Sequence, residues 1–597
     1  MSTDPARIAA LRAELAARHL DGFVVPLTDE HLSEYVGDYA QRLGWLTGFG
    51  GSAGTAAVLA GRAAIFVDGR YTLQVREQVD GALFAPLGVP EHSVAGWLAA
   101  EAPVGARIGY DPWLHTAGWV GATQGALAAK GAALVAVADN PVDAVWADRP
   151  ARPTAPIVPH DEALAGHSGA DKRQAIAEAL AAAQADAVVL TALDSIAWAF
   201  NLRGGDVAHT PVGLAFALVH ADGTADLFAA PAKVTDAALR HLGNGVRVAD
   251  IAGFPAALEG LGGRTVAVDP AATVAAVAAA LERGGARIVA LRDPTVLPRA
   301  VKTDAELAGH RAAQERDGAA MVRFLHWLSI KAPKGQMTEL SAAAKLRAFR
   351  EATGQLLDLS FETISAAGPN GASPHYRVTE ESDRRIAPDM LYLIDSGGQY
   401  RDGTTDITRT VAVGTPTAEM RRRFTLVLKG HIAIARAVFP AGTRGAQLDT
   451  LARAALWAEG LDYAHGTGHG VGAYLSVHEG PQRIAPVGSA QAGGDEPLRA
   501  GMILSNEPGY YKAGEYGIRI ENLVAVEIRA VAGAERPCLG FETLSFVPID
   551  RALIATELLD VSERAWLDDY HARTWALIGP RVEGAAADWL QKACRPL

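Results

Sequence analysis

Cysteine is nearly absent. The 597 residues carry two, Cys538 and Cys594, which excludes a disulfide framework and a zinc module built on cysteine. Long apolar runs are missing as well. No stretch reaches the roughly 18–20 apolar residues of a membrane span, and no membrane partner is expected. The opening MSTDPARIAALRAELAARHLDGFVV interleaves charges with alanine and has no apolar core of signal-peptide type. A basic surplus is lacking too. Acidic residues (67) outnumber basic ones (55) for a net charge of −12, which disfavours nucleic acid and anionic membrane as partners. Glycine (62) and proline (31) follow no period, so collagen-like and low-complexity classes fall away. With 49% hydrophobic and 20% charged residues, the composition is that of a soluble globular protein, expected in the cytoplasm. At roughly 100–200 residues per domain, the length implies several domains.

The organisation repeats. Ile8, Leu11 and Leu15 have helical spacing and lead to a buried strand, GFVVP (22–26). A proline-rich stretch over 138–160 reads as a boundary. Beyond it a helix over about 170–185 leads to DAVVL (186–190), as the first helix led to DGFVV. Each strand is followed by a tryptophan, Trp45 and Trp198, expected as core anchors. Two copies of one α/β domain are therefore expected. A second boundary lies near 292–306, followed by helical patterns over 304–332 and 337–353. From Leu391 onward the chain is strand-rich.

That last region carries the chemistry. LYLIDSGGQYRDGTTDITRTVAV (391–413) sets two apolar strands around a turn with glycine and Asp-Gly, the pattern of a hairpin. A turn centred near Tyr400 would set Asp395 and Asp406 across from each other. A carboxylate after the apolar 391–394 run is costly unless paired or metal-bound; a turn-capping aspartate beside a solvated one is the other reading. MILSNEPGYYKAGEYGIRIENLVAVEI (502–528) reads as a second hairpin, with Glu507 before Pro-Gly and Glu521 in the following strand. There Arg519, Glu521 and Leu523 share one face. Four converging carboxylates repel one another unless cations neutralise them. Hard divalent cations suit carboxylate oxygen, and one imidazole shifts the choice toward Mn, Co or Zn. Between the hairpins, AHGTGHGVGAYLSVHE (464–479) supplies His465, His469 and His478 among glycines that allow close backbone approach. Its glycines lack the Lys-Ser/Thr of a phosphate loop.

The set IDSGGQYRDGTTDITRT, HGTGHGVG, NEPGYY and GIRIENL resembles the pita-bread metallopeptidases, which include methionine aminopeptidase, prolidase and aminopeptidase P. The resemblance covers nearly the whole chain and is closest to the three-domain, cytosolic type of aminopeptidase P. NPVDAVWADRP (140–150), LDSIAWAFNLRGGDV (193–207), RDGAAMVRFLHWL (316–328) and the tail over 539–580 carry that closer likeness. It implies an α/β and α+β architecture. Two creatinase-like α/β domains (1–147 and 148–299) precede a pita-bread catalytic domain (300–597), with a C-terminal extension from about 537. It also implies two divalent metal ions, manganese by preference, held by Asp395, Asp406, His469, Glu507 and Glu521. Asp406 and Glu521 would bridge them, Asp395 would complete one site, and His469 with Glu507 the other.

The implied reaction is hydrolysis of the N-terminal Xaa-Pro bond of peptides by a hydroxide held between the two metals. By the same resemblance Glu507 also takes the water proton. His375 (in GPNGASPHYR), His465 and His478 serve the carbonyl oxygen or the proline side. Arg519 is expected to orient the acidic ligands. Arg70, in the turn of VDGRY, is a candidate to reach longer peptides, or else a solvated turn residue. The N-terminal domains are expected to wall the amino side of the cleft, and the chain is expected to form a homodimer. Prolidase, cutting dipeptides only, and a non-catalytic peptide-binding module of the same fold are the alternatives. GGSAG (50–54) matches G-x-S-x-G, but that five-residue match alone does not make a serine hydrolase.

Overall fold

The computed structural model describes residues 3–488 and 493–597. The first two residues of the N-terminal stretch read above lie outside the described residues. The chain divides into two compact units: Met1–Glu162 with His167–Val296, and Ala163–Gly166 with Leu297–Leu597.

In the first unit, α1 (Pro5–Ala17) begins where the Asp4 carboxylate accepts the Ala6 N–H, with proline at the first helical position. Its buried stripe of Ile8, Leu11 and Leu15 joins one core with Phe23 and Val25 of β1 (Gly22–Pro26). Around β1 lie β2 (Thr55–Leu59), β3 (Ala63–Val67), β4 (Ala85–Gly88), β5 (Arg107–Tyr110) and β6 (Ala133–Ala136). The sheet order is β4-β3-β2-β1-β5-β6. Beyond the proline-rich stretch, α2 (Gly169–Ala183) precedes β7 (Ala187–Leu190), β8 (Ala215–His220), β9 (Ala225–Ala229), β10 (Val246–Ala249), β11 (Thr265–Val268) and β12 (Arg287–Ala290). Their order, β10-β9-β8-β7-β11-β12, repeats the first sheet strand for strand. The senses repeat as well: antiparallel around β2 and β8, parallel toward both edges. The duplication expected from the sequence is thus a duplication of topology. Trp45 and Trp198 are both buried, and Trp45 stacks on Trp146.

The second unit holds the strand-rich region that carries the acidic motifs. α3 (Asp304–Lys331) is set by a capping box in which Thr303 and Glu306 satisfy each other's backbone N–H. It packs on α4 (Glu339–Glu351). Beside them lies an antiparallel sheet of β13 (Ile364–Ala367), β14 (Met390–Ser396) and β15 (Ile407–Val413), with β14 central. A second helix pair follows, α5 (Ala418–Ala435) and α6 (Gly445–Trp457). Beside it lie β16 (Gly468–Gly470), β17 (Glu479–Ile484), β18 (Ile503–Asn506), β19 (Gly509–Lys512), β20 (Tyr516–Arg519), β21 (Asn522–Arg529) and β22 (Cys538–Thr543), of which β19 and β20 form a separate two-stranded sheet. Phe439–Pro440, β22, β21, β18, β16 and β17 form a six-stranded sheet in that order. The tail ends in α7 (Val561–Ile578) and α8 (Gly584–Ala593), both packed on α3. No helix of the described residues is long and apolar enough to cross a membrane.

The first hairpin differs from expectation in register. Asp395 pairs with Thr408, and Ser396 with Ile407, so Asp406 is not across from Asp395. The cause is a small inserted ladder, Gly398–Tyr400 against Gly403–Thr404, which moves the turn to Arg401 and Asp402. Gly397 permits the crossing: a Cβ there would lie 1.8 Å from the Thr405 carbonyl oxygen. Asp406 stands just before β15. The second hairpin keeps one register throughout. Asn506 pairs with Asn522, and Gly509 with Arg519, so Glu507 and Glu521 fall opposite each other between the two ladders.

Candidate metal centre

Each acidic residue owes its place to a strand end. Asp395 rides β14 into the sheet centre. Asp406 precedes β15, and the Glu507 N–H donates to the Thr467 carbonyl at 2.8 Å. The Glu521 N–H reaches the Thr408 carbonyl at 3.2 Å, tying the two hairpins together. His469 sits on β16, where Gly468 and Gly470 let the backbone close in. A Cβ at Gly468 would stand 2.0 Å from the Ser505 carbonyl oxygen, and one at Gly470 2.5 Å from that of Glu479.

The result is a convergent donor set. Asp406, His469 and Glu521 each offer a ligand atom within 4.8 Å of the others, all buried. His469 Nε2 lies 3.5 Å from Asp406 Oδ2 and 3.6 Å from Glu507 Oε1. Its Nδ1 sits 2.9 Å from the Gly470 carbonyl oxygen. A carbonyl can only accept, so Nδ1 carries the proton and Nε2 presents its lone pair to the carboxylates. Asp395 Oδ1 is buried and has no hydrogen-bond partner among the described residues. A carboxylate oxygen in that state costs free energy unless a cation takes it. These donors fit divalent metal ions.

The electrostatics say the same. Burial pushes the Asp406 carboxyl well above its ordinary pKa, and repulsion from Asp395 adds to it. Burial raises Glu521 too, reinforced by Asp406, Asp395 and Glu507. Glu507 is raised by burial, with His469 and Arg519 pulling back. Negative charge is concentrated here beyond what the protein's own cations balance.

Arg519 is one such cation. It donates to Asp395 Oδ2 at 2.5 Å, to Thr408 Oγ1 at 3.1 Å and to the Tyr511 hydroxyl at 2.5 Å. Thr408 Oγ1 in turn donates to Glu521 Oε2 at 2.7 Å, and Ser505 Oγ to Glu507 Oε1 at 3.2 Å. Tyr511 also meets His465 Nε2 at 2.9 Å. The His478 ring lies 4.3 Å from that of His469, at 72°. His375 follows the turn Gly368–Ala372, which packs on β20; a Cβ at Gly517 would lie 1.7 Å from the Gly371 carbonyl oxygen. Arg70 stands in the other unit, buried, with its guanidinium on both Asp68 oxygens at 3.0 and 2.7 Å. Thr408, Ser505 and Tyr511 are absent from the sequence reading. Thr408 and Ser505 stand two residues from Asp406 and Glu507, the spacing that puts strand side chains on one face, and that signal could have found them.

Metallopeptidase family M24 matches residues 308–527, and the C-terminal region of that family matches 537–597. The creatinase/prolidase N-terminal domain matches twice, at 7–145 and 148–306. A probable Xaa-Pro aminopeptidase P of Laccaria bicolor is 41% identical over 99% of this chain and 93% of its own. Aminopeptidase P2 of Arabidopsis thaliana is 39% identical over 97% of this chain and 86% of its own. The crystal structure of X-prolyl aminopeptidase from Caenorhabditis elegans, described as a cytosolic enzyme with a di-nuclear active site, superposes with a TM-score of 0.94. It shares 34% identity and covers 99% of both chains.

Proposed function

The chain belongs to metallopeptidase family M24, among the aminopeptidase P enzymes, and from that premise we propose how its centre works. It is a metal-dependent aminopeptidase that hydrolyses the N-terminal Xaa-Pro bond of peptides. Two divalent ions serve it, and when bound they polarise the scissile carbonyl and make water a nucleophile near neutral pH. Asp395, Asp406, His469, Glu507 and Glu521 would hold them, Asp406 and Glu521 being the ligands proposed to serve both. Manganese is the proposed metal.

Proline's tertiary amide has no N–H to hold, and its ring obstructs ordinary peptidases. Glu507 takes the proton of the attacking water, with Ser505 steadying one of its oxygens. His375, His465 and His478 bind the carbonyl oxygen and the proline side, and one of them returns the proton that the leaving nitrogen needs. His465 is oriented for this by Tyr511. Arg519 holds Asp395 and, through Thr408, Glu521. Arg70 is proposed to bear on longer peptides through its turn. The active form is a cytoplasmic homodimer whose domains run 1–147, 148–299 and 300–597.

The observation that supports this most is the donor set: three ligand atoms within 4.8 Å, beside a buried Asp395 oxygen with no partner. The test is a panel of Xaa-Pro, Xaa-Pro-Yaa and longer Xaa-Pro peptides with manganese, with acetylated and alanine-second controls. Release of the first residue from tripeptides and longer peptides is expected. Acetylated peptides should be refused and alanine-second ones cut far more slowly. Turnover of dipeptides alone would make it a prolidase. No turnover despite two bound ions would make it a binding module.

A further inference from the structure

Beneath the two glutamates lies a polar clamp. His431, on α5, is fully buried. Its Nδ1 meets the Asn506 carbonyl oxygen at 3.1 Å, and its Nε2 meets Asn522 Nδ2 at 3.2 Å. Asn506 returns a bond from its own Nδ2 to the His431 carbonyl at 2.9 Å. Asn506 immediately precedes Glu507 and Asn522 immediately follows Glu521, and the two asparagines are the last pair of the β18–β21 ladder. One ring therefore holds both strands at the level where the carboxylates emerge.

The Asn506 and Asn522 partners assign the tautomer, and the ring also reaches the Ile520 carbonyl. Asn522 Oδ1 accepts from Arg409 Nη2 at 2.8 Å, so its nitrogen faces His431 as a donor and Nε2 must accept. Nδ1 then bears the proton that the Asn506 carbonyl requires. Arg409 also donates to the carbonyls of Glu521, at 2.6 Å, and Thr408, at 2.8 Å.

We propose that His431 is a positioning residue that sets the separation of Glu507 and Glu521 by gripping the Asn506 carbonyl and the Asn522 amide at once. Its hydrogen bonds go to the neighbours of the two glutamates and not to their carboxylates. The inference rests on the proposed function only in taking the two glutamates as metal ligands. Partners that orient ligands from behind commonly govern metal affinity by about 10–100-fold.

The test is manganese titration of the full chain without peptide, following free manganese by its paramagnetic resonance signal. His431→Leu removes both grips and should weaken binding at least about tenfold. His431→Asn places an amide near Nδ1 and His431→Gln places one near Nε2, so each keeps one grip and should fall between Leu and wild type. Thermal unfolding of the chelated proteins separates this from general damage: His431→Asn should melt near wild type yet bind manganese more weakly. Wild-type manganese constants in folded His431→Leu would overturn the proposal. If that variant does not fold, wild-type constants in both amide variants overturn it. A wild-type chain that binds two ions but cuts no Xaa-Pro peptide sinks the function and leaves the clamp standing. One that binds no manganese sinks both.

Discussion

At the scale of single residues, the centre shows function working against stability. Asp406 is buried next to Asp395, and both factors raise its pKa. Without a cation its charge destabilises the fold. Asp406→Asn keeps the shape and removes the charge. The chelated variant should therefore melt above the chelated wild type, by about 2 °C or less for each kcal/mol relieved, given the size of this unit. With manganese the order should reverse, because wild type gains binding free energy that the variant lacks. Calorimetry with and without chelator reads both, and a lower melting point for the chelated variant would show Asp406 already balanced by protein cations. On the proposed sharing of Asp406 and Glu521 between the ions, Asp406→Ala and Glu521→Ala should each lose both ions and nearly all activity. Two ions per chain at full activity in either would refute the sharing. The carboxylates proposed as ligands stood out in the sequence because one that interrupts an apolar strand is costly to leave unpaired, but the set of five came only with the family likeness. His431 and Arg409 did not stand out, since one histidine in a helix and one arginine in a strand carry no local sign of the partners that hold them.

At the scale of elements, the helices over 304–332 and 337–353 were legible from their period and appear as α3 and α4, the latter starting at Glu339 after a short bridge strand. The hairpins were legible as hairpins. The register of the first was not, because it depends on Gly397 passing under Thr405, a contact between chain segments that no spacing encodes. The tail was readable only through family likeness. In the structure it has a physical task. Val547 accepts from Arg409 at 2.7 Å and Tyr570 from the same Nη2 at 2.8 Å, while the Tyr570 hydroxyl also accepts the Val547 N–H at 3.1 Å. Tyr570 stacks on Trp566, 5.3 Å between centroids. The tail thus braces the arginine that holds the Glu521 carbonyl. Tyr570→Phe removes an acceptor from a buried guanidinium and should cost about 1–3 kcal/mol. Urea unfolding measures it, and a change below about 0.5 kcal/mol would mean that Val547 and Asn522 suffice as acceptors.

At the scale of the whole molecule, burial holds four of the buried histidines among the described residues neutral. Burial lowers the pKa of His115, His310, His431 and His571 to about 3. In the unfolded chain each returns to about 6.5. Between those values the unfolded state holds protons that the folded state refuses, so stability rises with pH across that window. The contribution is complete above pH 6.5 and is lost as pH falls toward 3, at about 1.4 kcal/mol per pH unit for each histidine. The burden is uneven. His115 lies in the first unit, and the other three lie in the second with the metal centre. At pH 5.5 those three together should cost about 4 kcal/mol. The raised carboxyls of Asp406, Glu507 and Glu521 act in the opposite sense in the chelated protein, since protonation relieves their repulsion. With manganese bound they stay ionised, and acid then acts against both the metal and the histidines. The loaded protein should therefore lose more stability than the chelated one between pH 7.5 and 5.5. Hydrogen exchange, corrected for its intrinsic pH dependence, places the loss: protection in β18 and β21 should fall further than in β1 and β7. Equal loss in the two units would mean that the buried rings of the second unit do not set the acid limit of this fold.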